Sequence, residues 1–273
     1  MFSCKLHERS QMSLERIIGV LIQEYYITKR SLEVILDLFF FSIMFVVVFG
    51  LFSNFLSSQF TGAASFYLLL GMLLWEVIRI TQYSMSVGAL WNVWSRNLSN
   101  MFIAPLSMKE YLAAQMISGV VKSALILLII SVISAVFFKF NILTIGLASL
   151  ILAFINLTIF SWSVGIAILG VIFRFGQRIQ ALAWGLIFLF QPLTAAFFPV
   201  KILPATLQTI AFLFPPTYVF EATRGNLENI AVNWSFMTTA FLLNLIYFAA
   251  SLWFFQIMYR AAKRSGQFAK LES

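Results

Sequence analysis

Apolar residues form six runs along the chain, each long enough to cross a bilayer, and polar or proline-rich segments separate them. A hydrocarbon core of about 30 Å requires about 20 apolar residues in a helix. The runs cover residues 32–52, 65–90, 112–138, 142–173, 179–198 and 236–259. This pattern predicts an all-α integral membrane protein: one domain, residues 32–273, with six transmembrane helices and both chain ends on the same side.

Residues 1–31 form a predicted tail that contains one amphipathic helix. Between residues 14 and 25, apolar side chains recur at helical spacing on one face, and Arg16 and Gln23 lie opposite. Such a helix is typical of segments that lie in the headgroup region of a membrane. Packing on a partner or on the protein's own loops is the alternative. No removable signal peptide is evident in this tail.

The segment between the second and third runs, residues 91–107, combines aromatic and polar residues. Helical spacing puts one set on a common face: Trp91, Trp94, Leu98, Met101, Phe102 and Pro105. Polar residues occupy most of the remaining positions: Asn92, Arg96, Asn97 and Asn100. We expect an amphipathic helix here, which Pro105 ends. Ser107 and Glu110 then match the capping box S-x-x-E, so the next helix should begin near Met108.

Residues 199–225, between the fifth and sixth runs, contain four of the six prolines around an apolar stretch too short to cross a membrane. Proline removes a backbone donor and clashes with the preceding helical turn. Two short helices hinged at Pro215 and Pro216 are therefore expected rather than one long helix. We expect this segment to be re-entrant on the outer side. An ordinary surface loop with an interfacial helix is the alternative.

Composition and charge support a membrane protein. Of 273 residues, 61% are hydrophobic and 10% are charged, whereas soluble domains contain about 25% charged residues. Thirteen of the 18 Lys and Arg residues lie in the terminal tails and in the loops that follow the second and fourth runs. By the positive-inside rule, both termini and the segment 91–107 should be cytosolic. The basic residues do not gather on one soluble face, which argues against nucleic-acid binding.

Apart from Glu33 at the edge of the first run, the charged residues inside the runs are Asp37, Glu76, Arg79 and Lys122. Glu76 and Arg79 are three residues apart, so they share a helix face and can pair. Charges within a membrane are costly and mark functional sites by default, although a purely structural ion pair explains this spacing equally well. The candidate residues for a translocation pathway are Glu76, Arg79, Tyr83, Asn156 and Gln191.

Several catalytic classes lack their residues in this sequence. His7 is the sole histidine and Asp37 the sole aspartate, which excludes H-E-x-x-H zinc sites, histidine-assisted serine catalysis and paired-aspartate catalysis. Cys4 is the single cysteine, so no intrachain disulfide or cysteine-based metal site can form. No G-x-x-x-x-G-K-[ST] sequence occurs, so we expect this chain to bind no nucleotide as a P-loop protein does. We expect no enzyme activity, cofactor or metal in this chain, and any ATP-driven work needs a partner.

The chain resembles the permease subunit of ABC exporters of the ABC-2 type over most of its length. Four segments carry the resemblance: YYITKRSLEVILDLFF, WSRNLSNMFIAPLSMKEYLAA, FRFGQRIQALAW and QPLTAAFFPVKILPATLQTIAFLFPPTYVFEATRG. The resemblance implies a six-helix subunit of the bacterial cytoplasmic membrane that pairs with a second copy or a similar permease. It also implies a separate cytosolic P-loop ATPase, which holds the ATP and Mg.

The resemblance further implies roles for particular residues. The N-terminal amphipathic helix and a coupling helix over residues 91–104 would contact the ATPase, and the turn at residues 173–178 would make a second contact. The implied interface comprises Trp91, Trp94, Arg96, Asn97, Leu98, Met101, Phe102, Pro105, Arg174 and Arg178. The implied outer re-entrant hairpin includes Phe214, Pro215, Pro216 and Glu221.

Two functional hypotheses follow. The first is a permease subunit that moves a hydrophobic, lipid-linked, glycan or drug-like substrate out of the cytoplasm, with the direction of transport taken from the family analogy. The second is an ion-coupled secondary transporter or channel that uses Glu76 and Arg79 as coupling charges. The sequence contains no clear inverted repeat between its halves, which favours the first.

Overall fold

The computed structural model describes residues 12–59, 64–95, 105–228 and 231–264, and within these ranges all regular structure is helical. The α-helices are α1 Leu14–Arg30, α2 Leu32–Ser58, α3 Ala64–Trp94, α4 Met108–Phe138, α5 Leu147–Phe175, α6 Gln180–Leu193, α7 Ala205–Ala211, α8 Pro215–Glu228 and α9 Trp234–Arg264. Short 3₁₀ turns precede α5, α6 and α7, at Ile142–Ile145, Gly176–Ile179 and Val200–Ile202. The all-α prediction therefore holds for the described residues.

Four helices, α2, α4, α5 and α9, are long and apolar enough to cross a membrane. They match the first, third, fourth and sixth predicted spans. Helix α6 has 14 residues, or about 21 Å of helix, which is less than the hydrocarbon core of about 30 Å. Helix α3 has 31 residues but carries Glu76 and Arg79 among its apolar residues. The six-span architecture therefore stays a prediction, with α3 and α6 as its unconfirmed members.

Helix α3 is the centre of the fold. Every residue from position 69 to position 90 is buried, because α2, α4, α5 and α6 all pack against this helix. Helix α9 packs against α5 on the outside. The outer helices instead expose large apolar side chains, such as Phe52 on α2, Leu128 on α4 and Trp253 on α9. These surfaces suit a lipid environment, whereas α3 is surrounded by protein.

Helix α3 runs four residues beyond the predicted end of the second span. Trp91 and Trp94 belong to its last turn, where their rings meet edge to face at a centroid distance of 5.3 Å. Asn92 in the same turn is buried and donates to the Gly88 carbonyl and to the Tyr111 hydroxyl, so a polar residue does not end the helix here. The other predicted coupling-helix residues lie outside the described ranges: Arg96, Asn97, Leu98, Met101 and Phe102.

The capping box at the start of α4 is confirmed. The Glu110 N–H donates to the Ser107 hydroxyl, and the Glu110 carboxylate accepts the Ser107 N–H. The helix begins at Met108, as predicted, and Pro105 lies before it outside any helix.

The proline-rich segment contains two short helices, as expected from its sequence. Helix α7 ends at Ala211, and α8 begins at Pro215, where the missing N–H costs no hydrogen bond because the first turn of a helix leaves its donors unpaired. Phe214 lies between them and packs against the core. The re-entrant position of this segment in a membrane stays a prediction.

Candidate functional site

One buried carboxylate joins three parts of the chain at the start of α1 and α4. Glu110 Oε1 accepts the Ser13 N–H at 2.7 Å and lies 3.0 Å from Arg16 Nε, while Oε2 accepts the Ser107 N–H at 2.7 Å. Arg16 Nη1 also donates to the Pro105 carbonyl at 2.6 Å. We call these five residues the N-terminal junction. It fixes the first turn of α1 to the end of the segment 91–107 and to the first turn of α4.

A second polar cluster lies farther along α1, in the protein interior. Glu24 is buried, and its carboxylate accepts hydrogen bonds from Gln115 Nε2 at 2.9 Å and from Lys122 Nζ at 3.1 Å. Lys122 Nζ also donates to the Ser84 hydroxyl at 3.3 Å. We call these four residues the Glu24 cluster. Lys122, which the sequence places inside a span, is therefore neutralised by an acid of α1, and the cluster ties α1 to both α3 and α4.

The predicted apolar stripe of α1 is divided between the protein and its surroundings. Ile17 and Val20 are buried on the same face as Glu24. Leu21 is half-buried against the core, and four other apolar residues of the helix are more than half exposed: Leu14, Ile18, Ile22 and Tyr25. One face of α1 therefore packs on the protein itself, and the position of its exposed apolar face in the headgroup region of a membrane stays a prediction.

Glu76 and Arg79 form a buried ion pair within α3. Arg79 Nε donates to Glu76 Oε1 at 2.8 Å, and Nη2 donates to Oε2 at 2.6 Å. The Ser42 hydroxyl of α2 donates to Glu76 Oε2 and accepts from Arg79 Nη2. Arg79 Nη1 lies 3.4 Å from the Asp37 carbonyl, within the π-helical turn Leu36–Phe40 of α2. The two charges neutralise one another, as expected for a structural ion pair between residues three apart on a helix.

A cavity of about 250 Å³ lies beside this pair, between α2, α3 and α6. The Tyr83 hydroxyl donates to Asp37 Oδ2 at 2.8 Å, and the Tyr83 ring meets the Trp184 ring edge to face at 5.3 Å. We call this space the central cavity. Its lining residues are Asp37, Phe41, Phe45, Arg79, Gln82, Tyr83, Ala183, Trp184, Ile187 and Phe188.

A larger space of about 590 Å³, which is open toward the protein surface and which we call the flanking cavity, lies next to the central cavity. The two cavities share Trp184 and Phe188 in their walls. Glu33 of α2 and Trp94 of α3 line the flanking cavity on the side of the last turn of α3. We call the two cavities together the groove; Glu33 and Trp94 line its flanking part, and Asp37 lines its central part.

The structure brings together three of the five predicted pathway residues: Glu76, Arg79 and Tyr83. Asn156 lies elsewhere, on α5, where its backbone and side-chain oxygens accept hydrogen bonds from Asn244 of α9. Gln191 is half-buried in the last turn of α6 and does not line the central cavity. Asn156 therefore joins two helices in this structure.

The two arginines of the predicted second ATPase contact differ in their surroundings. Arg174, at the end of α5, donates from Nη1 to the Ala261 carbonyl of α9 at 2.9 Å. Arg178 is exposed in the 3₁₀ turn Gly176–Ile179. Arg174 thus fixes the ends of two helices together, and the ATPase contact of both residues stays a prediction.

A second ion pair between residues three apart, on α8, holds the turn that follows α6. Arg224 donates to Glu221 Oε1 at 2.7 Å, and its Nη2 donates to the carbonyls of Ala195 and Ala196. Glu221 Oε1 also accepts the Val200 N–H at 2.9 Å. Burial lowers the pKa of the Arg224 guanidinium, and the charge of Glu221 opposes that shift. Glu221 of the predicted hairpin therefore anchors the segment that precedes α7.

Sequence reasoning missed three of these side chains. Arg224 follows Glu221 by three residues, which is the same spacing that identifies Glu76 and Arg79, so that signal could have found it. Glu24 falls on the buried face of α1, where an acid requires a basic partner. Trp184 carries no signal that separates it from the other tryptophans.

No known protein-family model matches the chain, and no curated protein matches it. Among the described residues, no group of three or more His, Cys, Asp or Glu side chains is placed to hold a metal ion. The function is therefore inferred from the N-terminal junction and the groove.

Proposed function

We propose that this chain is the membrane-embedded permease subunit of an ATP-driven exporter of the ABC-2 type, moved by a separate cytosolic P-loop ATPase that holds ATP and Mg. The observation that supports the proposal most is the N-terminal junction. Glu110 bonds the first turns of α1 and α4, and Arg16 bonds the carbonyl of Pro105, where the predicted coupling segment ends. A force applied to that segment reaches two helices at once.

Further hydrogen bonds extend this connection to α3. Gln23 Nε2 of α1 donates to Asn92 Oδ1 at 2.8 Å, and Asn92 in turn donates to the Tyr111 hydroxyl of α4 at 3.3 Å. With the Glu24 cluster, these contacts hold α1, α3 and α4 together at one end of the protein. Helix α3 also lines the central cavity. Movement of this end of the protein by an ATPase would therefore change the shape of the groove between α2, α3 and α6.

An ion-coupled transporter is the second candidate, and Asp37 is the observation that favours it. Its carboxylate borders the central cavity and forms no ion pair with a described residue. The pair of Glu76 and Arg79 supports this candidate less, because their charges neutralise one another. Ion-gradient-driven flux into liposomes that contain this chain alone would establish it.

The exporter proposal is tested with the tagged full chain, crosslinked in its native membranes and purified. We expect a protein with a P-loop to co-purify, and we expect its ATP hydrolysis rate in nanodiscs to change when this chain is present. Phe102→Asp should abolish that change while the chain stays in the membrane. Ser57→Asp, which adds the same charge on an exposed residue at the far end of α2, should not. A hydrolysis rate that is equal with and without the chain would contradict the proposal.

A further inference from the structure

The central cavity contains one carboxylate that no described side chain neutralises. Asp37 accepts one hydrogen bond from the Tyr83 hydroxyl and forms no ion pair within the described ranges. Arg79 lines the same cavity, but its Nε and Nη2 bond both oxygens of Glu76, and it reaches Asp37 only at the backbone carbonyl. The charge at the central cavity is therefore net negative.

Aromatic rings from three helices line the same cavity as this carboxylate. Phe41 comes from α2, Tyr83 from α3, and Trp184 and Phe188 from α6. The faces of such rings carry negative potential and attract cations, most strongly where water is excluded. A carboxylate with an aromatic wall recognises a positive charge that has apolar substituents.

The size of the groove suits a small organic molecule. The central cavity has about 250 Å³ and the flanking cavity about 590 Å³, and ligand pockets are typically about 300–1,000 Å³. Glu33 adds a second carboxylate at the flanking cavity, where it also forms no ion pair with a described residue. A ligand that spans both cavities meets negative charge at two points and rings between them.

We infer that this groove binds a lipophilic organic cation, such as a quaternary phosphonium or ammonium with aryl or alkyl groups. The positive charge lies beside Asp37, and the apolar groups lie against Trp184 and Phe188. A phosphate-linked substrate would face net negative charge with Arg79 already occupied, and a neutral sugar would leave Asp37 unneutralised. The inference rests on the proposed function in that it names a substrate class for the exporter, but binding itself requires no ATPase.

The test measures equilibrium binding to the purified full chain in nanodiscs of zwitterionic phosphatidylcholine. The probe is radiolabelled tetraphenylphosphonium, and the control ligand is tetraphenylborate, which has nearly the same shape and the opposite charge. Protein-free nanodiscs correct for partition into lipid. We expect saturable binding of the cation and none of the anion. Absence of saturable cation binding, or equal binding of both ions, would overturn the inference.

Variants separate the charge from the general apolar character of the groove. Asp37→Asn keeps the size and the acceptor for Tyr83 but removes the charge, and should weaken cation binding by about tenfold or more. Asp37→Glu should retain binding, and Glu15→Gln, the same loss of charge on the exposed face of α1, should leave it unchanged. Trp184→Leu should also weaken it by about tenfold.

Each measurement on these variants either supports or contradicts cation binding in the groove. Unchanged affinity in folded Asp37→Asn, checked by circular dichroism and size-exclusion elution, would overturn it. If Asp37→Asn does not fold, unchanged affinity in Trp184→Leu would do the same. If the chain binds the cation but no ATPase associates with it, the binding site is supported and the exporter proposal is contradicted. If an ATPase associates with the chain but the chain binds no cation, the exporter proposal is supported and the binding site is contradicted.

Discussion

The two carboxylate oxygens of Glu110 hold different parts of the protein. Oε2 accepts the Ser107 N–H and completes the capping box of α4, whereas Oε1 accepts the Ser13 N–H and contacts Arg16 of α1. Glutamine is also a normal residue at this position of a capping box. In Glu110→Gln the remaining carbonyl oxygen can keep the bond to Ser107, while the amide NH₂ replaces Oε1. The substitution should therefore release α1 and leave the start of α4 in place.

The magnitude follows from the contacts that are lost. A hydrogen bond to a charged group is worth about 1.5–3 kcal/mol, which applies to the Ser13 N–H. The Arg16 side chain is 22% exposed, so its ion pair adds only about 0.2–1 kcal/mol. The free energy for local opening of α1 should fall by about 2–4 kcal/mol. At 1.4 kcal/mol for each factor of ten, amide exchange in α1 should accelerate by about 30-fold to about 700-fold.

Hydrogen–deuterium exchange of the purified full chain, read by mass spectrometry, measures this effect. Peptides from residues 14–30 should exchange faster in Glu110→Gln, and those from residues 108–113 should not change. Glu110→Ala removes both oxygens and should accelerate both sets of peptides. Glu15→Gln, on the exposed face of α1, is the matched control and should match the wild type. Wild-type exchange of α1 in Glu110→Gln would show that Oε1 does not hold this helix.

Two further predictions concern stability, measured by thermal unfolding in detergent. Glu76→Gln alone leaves the buried charge of Arg79 without its partner and should lower the free energy of unfolding by about 3–5 kcal/mol. The double variant Glu76→Gln with Arg79→Met should lose less stability, and equal losses in the two proteins would contradict the mutual neutralisation. In Gly71→Ala the new Cβ collides with the Ala196 carbonyl, so this substitution should lower the free energy of unfolding by about 1–3 kcal/mol. In Gly185→Ala, on α6, the new Cβ contacts no atom, so this substitution should stabilise the protein by up to about 1 kcal/mol. A Gly71→Ala protein that melts at or above the temperature of Gly185→Ala would refute the close packing of α3 on that carbonyl.

Local signals in the sequence predicted local structure well. The start of α4 follows from Ser107 and Glu110, which are three residues apart and satisfy each other's backbone donors. The apolar runs predicted α2, α4, α5 and α9. Helices α2, α4 and α9 expose long apolar surfaces that suit lipid, whereas α5 is apolar because most of it is buried against other helices. Each of these features is decided by a few neighbouring residues or by one continuous segment.

Contacts between distant parts of the chain could not be predicted from these local patterns. Glu24 and Lys122 are 98 residues apart, and their pairing depends on how α1 packs along α4. The apolar pattern predicts that the second span ends at residue 90, before the polar Asn92, whereas the helix continues to Trp94 because Gln23 and Tyr111 bond Asn92 inside the protein. The central cavity likewise depends on Trp184, which only the packing of α6 against α3 brings to Tyr83.

The complete burial of α3 has a consequence for the synthesis of this protein. Residues 69–90 offer lipid no surface in the finished fold, and the two helices that cover α3 most extensively, α4 and α5, leave the ribosome after it. Of the helices α2, α4, α5 and α6, only α2 is made before α3, and α2 supplies Ser42 to the pair of Glu76 and Arg79. In the predicted six-span topology, the nascent helix would therefore stay with the insertion machinery, or beside α2, until α5 has been made.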